Sequence, residues 1–170
     1  MSKRSRYGIL IISGILLAIL YSFIFRFSEQ TGEESGSLSY AISRFGVELW
    51  DKLTGGKLTE QAMEAIALYF EHPLRKAAHF AEYAVMGILV CSIMYCLTTK
   101  KGRCFALCLS WVALSAAADE LHQYFVPGRC GSVADVILDT VGGGTGIWIC
   151  YHCLHFIFHK RQSLGDKRLP

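Results

Sequence analysis

Apolar residues fill four long stretches of this chain, and polar residues gather mainly in one segment between the first stretch and the second. The first, Tyr7 to Phe25, reads YGILIISGILLAILYSFIF, carries no charge and follows Lys3, Arg4 and Arg6. At about 1.5 Å per residue it matches one hydrocarbon core of about 30 Å, predicting a first span over about 7–27. The run exceeds a signal peptide's apolar region of about 7–15 residues and no A-x-A-like site follows, so it reads as a retained anchor. Residues 28–72 then carry eight acids against Arg44, Lys52 and Lys57, opening on the loop-like SEQTGEESGS. Leu38, Ile42, Phe45, Leu49 and Leu53 recur at spacings of four and three, the mark of an amphipathic helix. Thr54-Gly55-Gly56 breaks that helix. Thr59 is placed to cap a second one, whose Met63, Ile66, Ala67 and Phe70 share a face and which is expected to end before Pro73. The two helices either pack on the membrane domain or, with Trp50 and Tyr69 at the interface, lie on it as a cap.

Pro73 suits the first position of a new helix, and the remaining spans are expected at about 74–99, 104–126 and 133–158. The predicted fold is an all-α, four-helix transmembrane bundle, with an extracytoplasmic amphipathic helical segment over 28–72. Residues 1–170 form a single membrane domain on this reading. Composition agrees: 52% of residues are hydrophobic, 18% are charged, and the mean hydropathy is +0.34, held down by the polar segment. Net charge, +3, says less than its placement. Basic residues collect before the first span, in the Lys100–Lys101–Arg103 turn and in the tail HKRQSLGDKRLP, which fall on one side if there are four spans. Both termini are therefore expected in the cytoplasm, with 28–72 and the 127–132 turn outside. Of seven cysteines six lie in apolar runs and only Cys130 sits in a turn, so no disulfide framework is expected. No nucleic-acid partner is expected; the partner the chain demands is the lipid bilayer.

Candidate chemistry lies at membrane depth, where ionisable residues are costly and tend to mark a site. His79 and Glu82 sit near the outer start of the second span, Asp119, Glu120 and His122 near the outer end of the third, and Asp135 and Asp139 near the outer start of the fourth. At roughly 100° per residue, Arg75, His79 and Glu82 form one stripe. Ser115, Asp119, His122 and Gln123 form another, while Asp135 and Asp139 stand above Gly142 and Gly146. That Gly-x-x-x-Gly face should point into the bundle and take the carboxylates with it. Arg75, Lys76 and Arg129 face five acids there, so protonation, a charged histidine or a cation must relieve the excess. Two histidines and several carboxylates suit a divalent metal, with His79, Glu82 and His122 as candidate ligands. The spacings H-x-x-E and D-E-x-H are not the H-E-x-x-H of a zinc protease. A purely structural network of interhelical salt bridges is the plainer alternative. If instead the excess negative charge is real, Asp135, close to Arg129, is expected to hold a fixed pair, Asp119 to make fixed contacts, and Glu120 to be the mobile or reactive group.

Other patterns carry less. Gly142-Gly143-Gly144-Thr145-Gly146 lacks the lysine of a phosphate loop and lies inside a span. Cys150-x-x-Cys153 with His152, His155 and His159 sits at a helix end and reads as packing or lipid contact.

RKAAHFAEYAVMG over 75–87 and DELHQYFVPGRCGSVADVILDTVGG over 119–143 together resemble the VanZ-like family of small bacterial membrane proteins. FSEQTGEES after the first span is similar to the family's serine-rich connection. The resemblance singles out Lys76, His79, Glu82, Tyr83, Asp119, Glu120, Gln123, Arg129, Asp135 and Asp139. It implies a bacterial cytoplasmic membrane protein, in a family whose founding member is associated with resistance to teicoplanin-type glycopeptides. Three functions are compatible with the residues. One is a hydrolase or transferase acting on a lipid-linked or amphiphilic envelope component. There Glu120 or Glu82 would serve as base, His79 would orient or bind metal, and Arg129 and Arg75 would grip an anionic head group. Tyr83, Lys76, Gln123, Asp135 and Asp139 would line the rest of that site. The second is a binding module that captures a lipid or glycopeptide without chemistry. The third, an ion-coupled transporter, is disfavoured by four spans without a visible inverted repeat.

Overall fold

In the computed structural model, residues 3–98 and 101–166 are described, and five helices account for nearly all of them. They are α1 (Lys3–Ser28), α2 (Gly32–Thr54), α3 (Glu60–Leu97), α4 (Lys101–Tyr124) and α5 (Val133–Asp166), with no strand among the described residues. Four of them, all but α2, are long and apolar enough to cross a membrane. Helix α3 touches every other helix and is the axis of the bundle. Residues 1–2, 99–100 and 167–170, and the side chains of 101–103, 155 and 157–166, lie outside the described residues, and with them most of the expected basic turn and tail.

Pro73 falls inside α3 rather than at its start. The sequence predicts two helices meeting there, because a proline deletes one backbone donor and typically costs ~3 kcal/mol in a helix interior. The break does not occur because α2 packs alongside both halves. The Ser43 hydroxyl donates to the Ala67 carbonyl at 2.8 Å, before the proline, and Ser35 and Leu38 share a groove with Leu74 and Ala78 beyond it. The carbonyl left without its donor belongs to Tyr69, an exposed residue.

Helix α2 begins with a capping box: Thr31 Oγ1 accepts from the Glu34 amide, and Glu34 accepts from the Thr31 amide at 2.9 Å. The backbone and then the hydroxyl of Thr31 hold the Glu34 carboxyl below its ordinary pKa. It ends at Gly55 and Gly56, both with positive φ, and Asp51 accepts from the Lys57 and Leu58 amides to tie the turn to α3. Its buried face is not the apolar one. Ser35, Ser39 and Ser43 are buried, while Leu38, Ile42, Phe45, Leu49 and Leu53 are exposed together with Trp50. Of the two arrangements the sequence left open, α2 does pack on the bundle, but through its serines and not its apolar face: small hydroxyl residues let it approach α3 closely, which bulkier side chains would prevent.

Helices α3 and α5 meet along the glycine seam. A Cβ on Gly142 would collide with the Phe80 carbonyl oxygen, and one on Gly146 with that of Ala84. A Cβ on Gly87 would collide with the Gly143 carbonyl oxygen in the same way, and one on Gly143 with the Val112 side chain of α4. Below the seam the core is built from Met86, Val90, Cys91, Cys108, Val112 and Ile147, with Cys150 at its edge. All seven cysteines are free thiols, with Cys130 and Cys153 exposed. The α1 helix is fastened to this core by a polar chain the sequence did not suggest. Trp111 Nε1 donates to the Tyr21 hydroxyl at 2.8 Å, and that hydroxyl lies 2.6 Å from Ser115 Oγ.

Candidate functional site

The seam sets the site by bringing the first turns of α5 against the middle of α3, where both carry ionisable residues. At the α2 end of the bundle a cavity of about 390 Å³ opens among α3, α4, α5 and the two connecting turns. Arg75, Lys76 and His79 reach it from α3, Glu120 and Gln123 from α4, and Asp135 and Asp139 from α5. Arg129 and Cys130 enter from the α4–α5 turn, and Glu71 and His72 from the half of α3 above Pro73. The mouth is closed on one side by backbone alone. Gly32 donates to the Pro127 carbonyl at 3.1 Å, and a Cβ on Gly32 would collide with the Gly128 carbonyl. Gly128 holds φ near +73°, which glycine adopts without strain.

Lys76 Nζ pairs with Asp135 Oδ1 at 2.7 Å across the cavity. Asp135 was expected beside Arg129; lysine takes it instead because Lys76 lies on α3, directly across the α3–α5 contact. Arg75 stands 3.8 Å from Glu71 one turn back on its own helix. Arg129 is half-buried and its guanidinium makes no ion pair among the described residues. Burial first, then the neighbouring Arg75, lowers its pKa, while Asp119 and Glu120 act the other way; arginine stays charged throughout.

Glu120, expected to be mobile, is held. Its Oε2 accepts from the Ser132 amide at 2.8 Å, fastening the start of α5 to the end of α4. No spacing rule reveals that bond, because it depends on how the 127–132 turn folds back. Asp119 accepts from Gln123 Nε2 at 3.0 Å, a fixed contact as expected.

His122 is not brought to the cluster. It lies about 60° round the helix from Asp119, on the side away from Gln123, and that turns it toward α1. Its Nδ1 is 3.0 Å from Ser28 Oγ and its ring lies against Phe25. Tyr83 is fully buried and its hydroxyl points to the Ser115 carbonyl, so it belongs to the packing between α3 and α4. Glu82 lies outside the polar cavity, its Oε2 3.9 Å from His79 Nδ1.

Two apolar grooves flank the cavity. One, between α2 and α3, is walled by Phe27, Leu38, Ile42 and Leu74 and ends at Arg75, His79, Glu82 and Arg129. The other, of about 510 Å³ between α1 and α4, is walled by Ile24, Phe25, Trp111 and Leu114 and ends at Asp119 and His122. Of the tail pattern, Cys150 is buried in the core and His152 packs its ring on Trp148. His155 and His159 have no described side chain.

Against sequence models of known families, the model described as VanZ/LLP1 matches residues 13–158, a range that includes every residue lining the cavity. No curated protein and no solved structure matches the chain.

Proposed function

We propose, from the premise that this chain belongs to the VanZ/LLP1 family, that its cavity receives the anionic head group of an amphiphilic or lipid-linked envelope component. One observation carries this reading. Arg129 is a half-buried cation, without an ion pair among the described residues, at the junction of a polar cavity and an apolar groove. A head group would meet Arg129 and Arg75, while its hydrocarbon lies along Leu38, Ile42 and Leu74. Guanidinium groups suit phosphate or carboxylate by bidentate hydrogen bonding. In this proposal the protein sits in a bacterial cytoplasmic membrane with both termini inside, and the cavity opens to the outer leaflet. Sequestering or altering such a component would connect the family to teicoplanin-type resistance.

The test is binding of a polyprenyl phosphate to purified protein in nanodiscs, against zwitterionic phosphatidylcholine as control. Arg129→Ala should weaken the phosphate by about 10–100-fold, the scale of a lost charge-assisted contact of about 1.5–3 kcal/mol, and leave phosphatidylcholine unchanged. Equal affinity of wild type for both lipids would reject the head-group reading. Orientation has its own check: exposed Cys130 should react with a membrane-impermeant maleimide added to intact cells, and Cys130→Ser should remove that label. Labelling only after lysis would reverse the topology.

The salt-bridge alternative draws support from Lys76–Asp135, which joins α3 to α5 at the cavity wall. It accounts for that pair and leaves Arg129 unexplained.

A further inference from the structure

At the cavity wall, three side chains from three helices converge. His79 of α3, Asp119 of α4 and Asp139 of α5 each offer a donor atom, and these atoms lie within 4.8 Å of one another. Asp139 is wholly buried, and neither of its carboxylate oxygens has a hydrogen-bond partner among the described residues. His79 Nδ1 is likewise buried and without one. A carboxylate with no donor in a closed interior is among the costliest arrangements a protein holds. The usual remedy, an amide or hydroxyl within reach, is missing among the described residues, whereas Asp119 nearby has Gln123.

We propose that His79, Asp119 and Asp139 bind a divalent cation of the zinc or manganese class. Two carboxylates and one imidazole supply charge and donor types suited to such ions, and three protein ligands leave coordination positions open. Bond lengths of roughly 2.0–2.2 Å put ligand atoms about 3.4 Å apart round a tetrahedral ion, so donors now up to 4.8 Å apart must draw together by as much as about 1.4 Å. The surrounding residues are arranged as outer support. Gln123 orients Asp119, and Glu82 stands 3.9 Å from His79 Nδ1, where coordination through the other ring nitrogen would let Nδ1–H close on that carboxylate. His79 and Asp139 also line the cavity, so the open positions face the space that holds Arg129. The ion site does not depend on the head-group reading and would stand if the cavity took no lipid.

The experiment is equilibrium dialysis of protein purified without a histidine tag against zinc or manganese chloride, with elemental analysis and the spectrum of the cobalt(II) form. Wild type should bind one ion per chain, and its cobalt spectrum should show nitrogen and oxygen ligation without a thiolate charge-transfer band. Asp139→Asn and Asp119→Asn should each weaken the ion by at least about tenfold. His122→Ala and Cys153→Ser should bind as wild type does. No bound ion, equal binding by Asp139→Asn, or a thiolate band that vanishes in Cys153→Ser would overturn the assignment. Circular dichroism accompanies each variant, and if Asp139→Asn fails to fold, Asp119→Asn and the wild-type cobalt spectrum decide. Lipid binding by Arg129→Ala is read separately, so either proposal can fail alone.

Discussion

Gly146→Leu should leave little folded protein in mild detergent, while Gly144→Ala, two residues away on the same helix, should melt as wild type does. At Gly146 any side chain meets the Ala84 carbonyl, which is backbone and cannot rotate aside. Helix α5 would have to move off α3 along the seam, separating Gly142 from Phe80 and Gly143 from Gly87 as it went. Overpacking of a core commonly costs about 1–3 kcal/mol, and a backbone collision belongs at or above the upper end. A methyl at Gly144 meets only Leu109 Cδ1, at 3.7 Å, which is ordinary contact. Thermal melts of the two variants compare them directly. A wild-type melting temperature for Gly146→Leu would mean that α3 and α5 do not touch as described, and the cavity built on their contact would go with them.

Asp139→Asn should behave in the opposite way, raising the melting temperature of the metal-free protein. Two unit charges about 5 Å apart repel by roughly 3 kcal/mol at an effective dielectric near 20, an upper scale for what removing one of them restores. When both are ionised Asp139 and Asp119 are such a pair, and Asp139 has no donor among the described residues to offset the cost. Adding zinc should reverse the order, since an ion at one hundred times its dissociation constant stabilises the state it binds by about 2.7 kcal/mol. Chelator and zinc melts of both proteins test the two halves together. If Asp139→Asn is less stable in chelator, Asp139 is doing structural duty and the cation assignment loses its main support.

The two predictions rest on features of unequal visibility in the sequence. The seam was legible, because Gly142 and Gly146 repeat one helical turn apart beneath Asp135 and Asp139. So was the layer of charge, because the short turns place the ionisable residues of three helices at one depth. Which charge meets which was not. Lys76 takes Asp135, and Glu120 takes a backbone amide, through choices made by helix rotation and a folded turn. Asp139 could be placed inward by its glycines, but its lack of a donor could be found only by surveying the neighbours in space. The α1 contact was missed although it left a trace. Ser13, Tyr21 and Ser28 are polar positions in an apolar helix, and such positions usually face protein rather than lipid. Continuity through Pro73 left no trace in α3, since the support comes from α2.

Helix α2 is inside-out by the standard of a water-soluble helix, and the energies say what that requires of its surroundings. Moving a large apolar side chain from water to an apolar medium yields about 1.5–3 kcal/mol. Leu38, Ile42, Phe45, Leu49, Trp50 and Leu53 are all exposed, Leu38 and Ile42 on the wall of the open groove beside α3. The inward face offers in exchange Ser43's bond to Ala67 and close serine contacts, each hydrogen bond worth about 1 kcal/mol net. In plain water the balance would favour rolling the helix about its axis to bury the leucines. The observed face is the lower in free energy only in contact with something oily, so the orientation of α2 reports the solvent for which the chain is built.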